Sequence, residues 1–212
     1  MKRTGKILCL LLALLMIVAG ALAWWQWDNL KALYQAKTTD AETILAEAAE
    51  KAAQHQKELD KYGVTLKTPT REELDALLSG ESVPNETEPE EETAGDENTA
   101  KDILERCIRE LYDCETALMA RLGTMKQAAL DEWHALPEEE RTNKKKMEIG
   151  YRGLDACYNL EVEIDAQVQG ILATYRAELE GIDADTAPMD TLWKYYCEEK
   201  ASAKAYYLNK YL

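Results

Sequence analysis

Phenylalanine is missing from all 212 residues, and glycine (10) and proline (5) are sparse, so both a favoured strand residue and the usual helix breakers are scarce. No segment alternates apolar and polar residues over a strand length between turn signals, which excludes a sheet. Abundant Ala, Glu, Leu and Lys predict helices instead. There are two histidines, His55 and His134, neither with ligand-type neighbours in sequence, and no C-x-x-C pair, so the common metal-site patterns are missing. G-x-S-x-G, H-E-x-x-H and a Gly-rich phosphate loop are missing as well. The expectation is no catalytic residue, no metal ligand and no cofactor, and a chain that is not an enzyme. Glu161 and Asp165, one turn apart on one helix, are a carboxylate pair of the kind that binds cations, but such pairs usually form a helix's wet face.

Bases are outnumbered, 25 Lys and Arg against 40 Asp and Glu, for a net charge of −15. A polyanionic surface is repelled by nucleic-acid phosphates and by anionic lipid or wall polymers, so nucleic acid is not an expected partner.

Long apolar runs are scarce too, with one at the N-terminus. Lys2, Arg3 and Lys6 precede an almost unbroken apolar stretch from Ile7 to Ala23, followed by Trp24 and Trp25. As a helix, Ile7 to Trp25 would span roughly 28 Å, close to the ~30 Å hydrocarbon core of a bilayer. The flanking bases keep the N-terminus cytoplasmic and send the rest of the chain outside as a single-pass protein. Trp24, Trp25 and Trp27 then sit at the membrane interface, where indole rings concentrate. The competing reading is a cleaved signal peptide, with Ala21-Leu22-Ala23 as the small-x-small site and secretion after Ala23.

Composition divides the chain into 1–25 as signal-anchor or signal peptide, 26–80 as a juxtamembrane helical region, 81–99 as an acidic disordered linker, and 100–212 as a helical bundle. In the second region Trp27, Leu30, Tyr34, Ala41, Leu45, Ala48, Ala52, Leu59 and Tyr62 recur at helical spacing. Thr39 to Glu42 reads as a capping box where the helix restarts, and Gly63 as its end. The stripe is mostly alanine, which makes a weak seam unless another surface covers it. A short helix follows, with Thr70 to Glu73 as capping box and Gly80 as stop. The linker has acids, Pro, Asn and Thr but no base, so it buries too little to offset the entropy of ordering. Asn85-Glu-Thr87 within it matches a short glycosylation pattern.

The last region carries three amphipathic stripes. Leu104, Cys107, Ile108, Leu111, Cys114, Leu118, Leu122, Met125, Ala129, Trp133 and Leu136 mark the first helix, broken by Pro137. Glu138 to Lys146 reads as a charged turn. Met147, Tyr151, Leu154, Cys157, Leu160, Ile164, Val168, Ile171, Tyr175, Leu179 and Ile182 mark the second at close to a 3.5-residue period. Gly181 with Asp183, Asp185 and Thr186 makes the next turn, and Pro188 suits the first position of a third helix. The fold class is therefore all-α: an N-terminal transmembrane or signal helix, a juxtamembrane helix, then a three-helix up-down-up bundle with a long coiled-coil-like hairpin.

With the first turn centred near residue 139, residue n of the first helix faces about residue 279 − n of the second. The shorter third helix then covers the hairpin near Cys107 and Ile171 and leaves its tip as a two-helix projection. Met125, Trp133, Met147 and Tyr151 at that tip are the candidate partner contact; a plain coiled coil with a solvated end is the alternative. Cys197 maps to the level of Cys107, so a Cys107–Cys197 disulfide is an option for an exported chain, against buried thiols. Tyr195, Tyr206 and Glu161 would mark a ligand pocket if the fold brought them together.

Leu136-Pro-Glu-Glu-Glu-Arg141, Asp165-Ala-Gln-Val168, Asp183-Ala-Asp-Thr186, Glu199-Lys-Ala201 and Lys204-Ala-Tyr-Tyr-Leu208 give the last half of the chain another kind of signal. On these motifs the segment resembles bacterial membrane-anchored or secreted helical proteins of a domain-of-unknown-function type. The resemblance implies a helical fold and an extracytoplasmic location, and brings no activity with it. Similar sequences often carry Cys at the position of Ile164, level with Cys114, so a bridge there is missing from this chain. The expected function is a membrane-tethered extracytoplasmic structural or protein-interaction module, through a protein partner or self-association. The alternative is a ligand-sensing or solute-binding helical module.

Overall fold

A computed structural model describes residues 27–79 and 99–211. Among the described residues the chain is all-α, without strands. The helices are α1 (Trp27–Thr38), α2 (Ala41–Leu59), α3 (Arg71–Ser79), α4 (Ala100–Ala135), α5 (Asn143–Gly181) and α6 (Ala187–Tyr211), with short 3-10 turns at Asp60–Tyr62 and Glu138–Glu140. None of these helices is long and apolar enough to cross a membrane. The apolar run 7–25, Trp24 and Trp25, Gly80, and the linker up to residue 98 lie outside the described residues.

Local chemistry sets the helix ends. The α2 cap is Asp40, one residue after the expected Thr39: its carboxylate accepts the Thr43 amide at 2.8 Å and the Thr43 hydroxyl at 2.8 Å. An ionised acceptor satisfies the first-turn donors better than a neutral hydroxyl, and the same two bonds hold the Asp40 carboxyl below its usual range. The expected capping box at α3 is formed, with the Glu73 amide donating to Thr70 Oγ1 at 3.2 Å and the Thr70 amide to Glu73 Oε2 at 2.6 Å. Gly63 ends the α2 region in the left-handed conformation, at φ 70°. Thr99, expected at the end of the linker, caps α4 by accepting the Asp102 amide. The charged turn is shorter than Glu138 to Lys146. Thr142 caps α5, so Lys144, Lys145 and Lys146 lie in its first turn. At the other end of α5 the turn places Asp183 in the left-handed region, at φ 55°. Pro188 is the second residue of α6 rather than the first.

The chain divides into two compact units, residues 27–55 with 194–211 and residues 56–79 with 99–193. The alanine stripe of α2 needs a covering surface, and in the first unit the end of α6 supplies it. Ala32 of α1, Ile44 of α2 and Ala205 of α6 form one buried cluster, with Tyr206 and Leu208 packed against it. Asn209 donates to the backbone oxygens of Ala36 at 2.8 Å and Thr39 at 3.1 Å, filling acceptors that the end of α1 leaves open. Glu198 lies by His55, Ala205 by Ile44 and Asn209 by Thr39, so α6 runs antiparallel to α2 within this unit.

In the second unit α4 and α5 form the expected hairpin. The cross-pairs Arg106–Glu178, Arg121–Glu163 and Arg152–Glu132 set residue n of α4 level with residue 284 − n of α5. The offset from 279 − n moves the level point of the hairpin from near residue 139 to near residue 142. The deepest core sits at the hairpin base, where Leu59, Ile103, Leu104, Leu179, Met189 and Leu192 are fully buried. Polar ties bring the same ends together: Thr191 donates to Glu58 at 3.0 Å, Tyr62 to Asp185 at 2.5 Å, and Arg176 to Asp190 at 2.6 Å. Nearer the tip α3 lies on α4. Lys67, just before α3, sits 4.3 Å from the Tyr112 ring centroid, and a Cβ on Gly123 would lie 2.4 Å from the Leu77 carbonyl oxygen.

Candidate interaction surface

The hairpin tip is a built turn. Pro137 ends α4, and the Arg141 guanidinium then folds back to donate to the Leu136 oxygen at 3.0 Å and the His134 oxygen at 2.7 Å. Two charge-assisted bonds to carbonyls at a helix C-terminus rigidify the connection. Thr142 accepts the Lys145 amide at 3.2 Å, and Lys145 pairs with Glu148 at 3.1 Å.

Beyond this turn α5 separates its two sides unexpectedly. Ile149 and Leu160 are buried, whereas Met147 (56%), Tyr151 (65%) and Leu154 (64%) are exposed. At about 100° per residue, Met147, Tyr151, Leu154 and the exposed Val162 fall within an arc of roughly 80°, opposite the Ile149 and Leu160 side. Half-buried Tyr158 lies in the same arc. The expectation that Met147, Tyr151, Leu154 and Cys157 continue the inner seam is thus corrected. From Leu160 onward Leu160, Ile164, Val168, Tyr175 and Leu179 are buried as expected, with Leu172 buried more deeply than Ile171. The result is an apolar ridge about 22 Å long on the outside of the hairpin. Of the four expected contact residues, Met147 and Tyr151 lie on this ridge, while Met125 and Trp133 are half-buried on α4. The 284 − n relation puts Trp133 level with Tyr151.

Cys107 and Cys197 are both thiols and no disulfide joins them; Cys107 belongs to the second unit and Cys197 to the first. Burial, with the nearby Glu110 and Glu178 carboxylates, pushes the Cys107 thiol up to about 12, which leaves little thiolate for exchange. Trp27 is the first residue of α1.

One feature was not legible from residue types alone. His55, on the inner side of α2, is buried, with Nε2 3.4 Å from Glu198 Oε2 and its ring edge-on to Tyr195 at 6.1 Å. Its Nδ1 has no hydrogen-bond partner. Its place in the Ala48, Ala52, His55, Leu59 stripe was the available signal. The crease around it, lined by Lys51, Tyr195, Glu198 and Ser202 among others, encloses essentially no free volume, so it is a packed seam and not a small-molecule pocket. Tyr195 and Tyr206 belong to the first unit and Glu161 to the second. Among the described residues no group of three or more His, Cys, Asp or Glu side chains is placed to hold a metal ion.

No family model, curated protein or solved structure matches the chain, so its similarity to other proteins adds nothing to the geometry.

Proposed function

We propose that this chain is a membrane-tethered extracytoplasmic interaction protein. The apolar run 7–25 serves as its anchor, and α4, α5 and the start of α6 form an up-down-up bundle whose hairpin tip receives a protein partner on the outer face of α5. The observation that carries this reading is the ridge of Met147, Tyr151 and Leu154. A stable helix rarely turns three large apolar side chains in one arc to water without something to cover them. The basic N-terminal segment ahead of the apolar run supports the orientation, and the acidic body supports a protein rather than a nucleic-acid partner.

Central apolar anchors carry most of an interface's energy, so Tyr151→Glu with Leu154→Glu is expected to weaken capture of the cellular partner by at least about tenfold. Both positions are exposed, so the melting temperature should stay close to that of the unmodified chain. Capture equal to that of the unmodified chain, with an equally stable fold, would remove the ridge as the contact.

A further inference from the structure

The first unit holds an arrangement that the hairpin does not use. Helix α1 turns Ala32 and Ala36 inward, where Ala32 joins the cluster with Ile44 and Ala205. The bonds from Asn209 to the Ala36 and Thr39 oxygens fix the rotation of α1 about its axis. Its other side therefore has a defined direction, and it carries Leu33 (36% exposed) and Tyr34 (71%). Lys37 falls between them in angle, one turn further on, and Lys31 lies on the flank.

We propose that this outward face of α1 rests on the phospholipid surface, so that the helix lies along the membrane interface instead of projecting from it. The proposal rests on the anchor reading of residues 7–25. Two observations select lipid as the occupant. The apolar run ends at Trp25 and α1 begins at Trp27, so the two Cα steps across Gln26 keep the start of α1 within about 7 Å of the bilayer boundary. Charge is the second. Helix α1 carries two lysines, Lys31 and Lys37, against one acid, Asp28, a small positive excess in a protein whose net charge is −15. Phosphate groups attract that local excess, and lysine stems can lie along apolar surface with the ammonium at headgroup level. Tyrosine has an apolar ring and a polar tip and suits the same depth. An interfacial helix needs this combination of an apolar face and basic flanks.

Tyr151 supplies an internal reference, because its exposure in the protein (65%) is close to that of Tyr34. The full chain is reconstituted at low protein density in vesicles of phosphatidylcholine with phosphatidylglycerol, and hydroxyl-radical oxidation of both tyrosines is read by mass spectrometry. Tyr34 is expected to oxidise at least about five-fold more slowly than Tyr151, as burial at headgroup depth requires. In a Lys31→Glu, Lys37→Glu variant that still floats with the vesicles, the two rates should converge. Equal rates in the unmodified, floating chain would overturn the proposal while leaving the anchor intact. Protection of Tyr34 that survives the lysine changes would overturn it in favour of a protein cover. A chain that does not float would remove both the anchor reading and the proposal.

Discussion

Leu104→Ala is expected to destabilise the folded chain by about 2–5 kcal/mol, while Leu154→Ala changes stability by less than about 0.5 kcal/mol. Both residues are leucines on long helices of the same hairpin. They differ in surroundings: Leu104 is fully buried at the base, and Leu154 is 64% exposed near the tip. Truncating Leu104 loses its transfer free energy and leaves a cavity. That cavity lies among the other fully buried side chains of the hairpin base, which relax only partially around it. Truncating Leu154 removes atoms that already face water. Urea unfolding followed by circular dichroism measures both, and similar losses for the two would contradict the burial contrast on which the ridge depends.

Gly123→Ala is expected to cost about 1–3 kcal/mol, although alanine is the better helix former by up to about 1 kcal/mol. The added Cβ would lie 2.4 Å from the Leu77 oxygen and 3.2 Å from the Leu78 Cα. These are backbone atoms and cannot swing aside, so α3 has to move away from α4. Gly170→Ala is the control: a Cβ there meets nothing within 4 Å, so helix propensity acts alone and stability should rise. Faster amide exchange across α3 in the Gly123 variant would locate the damage. A Gly123→Ala chain as stable as the Gly170→Ala chain would mean that α3 does not pack as closely as described.

Much of the architecture was legible where one residue decides a local event. Pro137 had to end a helix, Gly63 had to turn left-handed, and Thr70 with Glu73 had to cap α3. Tertiary context decided the rest. The alanine stripe of α2 announced that something must cover it without saying what. The answer, the end of α6, lies some 150 residues away in sequence, beyond the reach of periodicity. The first turns of α5 depart from the expected seam for a different reason. Ile149 and the set Met147, Tyr151 and Leu154 offer two apolar sides, and a period near 3.5 joins the second set to Leu160 as smoothly as the structure joins the first. Spacing alone could not choose between them. The geometry of an uncovered tip points to Met147 and Tyr151 as contact residues. The outward row that includes Leu154 and Val162 came only with the structure.

Gly123 was equally silent in sequence, since a glycine within a long helical stripe looks like a local weakness until the Leu77 carbonyl is seen beside it. The thiols follow similar logic. Level arithmetic on the sequence sets Cys197 beside Cys107, and in the structure both are thiols.

The outer face of α5 is the central claim, and photo-cross-linking in living cells tests it most directly. A benzophenone side chain is placed at Tyr151, on the ridge, and in a separate chain at Ala173, an exposed position nearer the hairpin base. A discrete protein adduct from position 151 and little or none from position 173 is the predicted result. Adducts of equal yield from both positions, or none from position 151, would contradict the account.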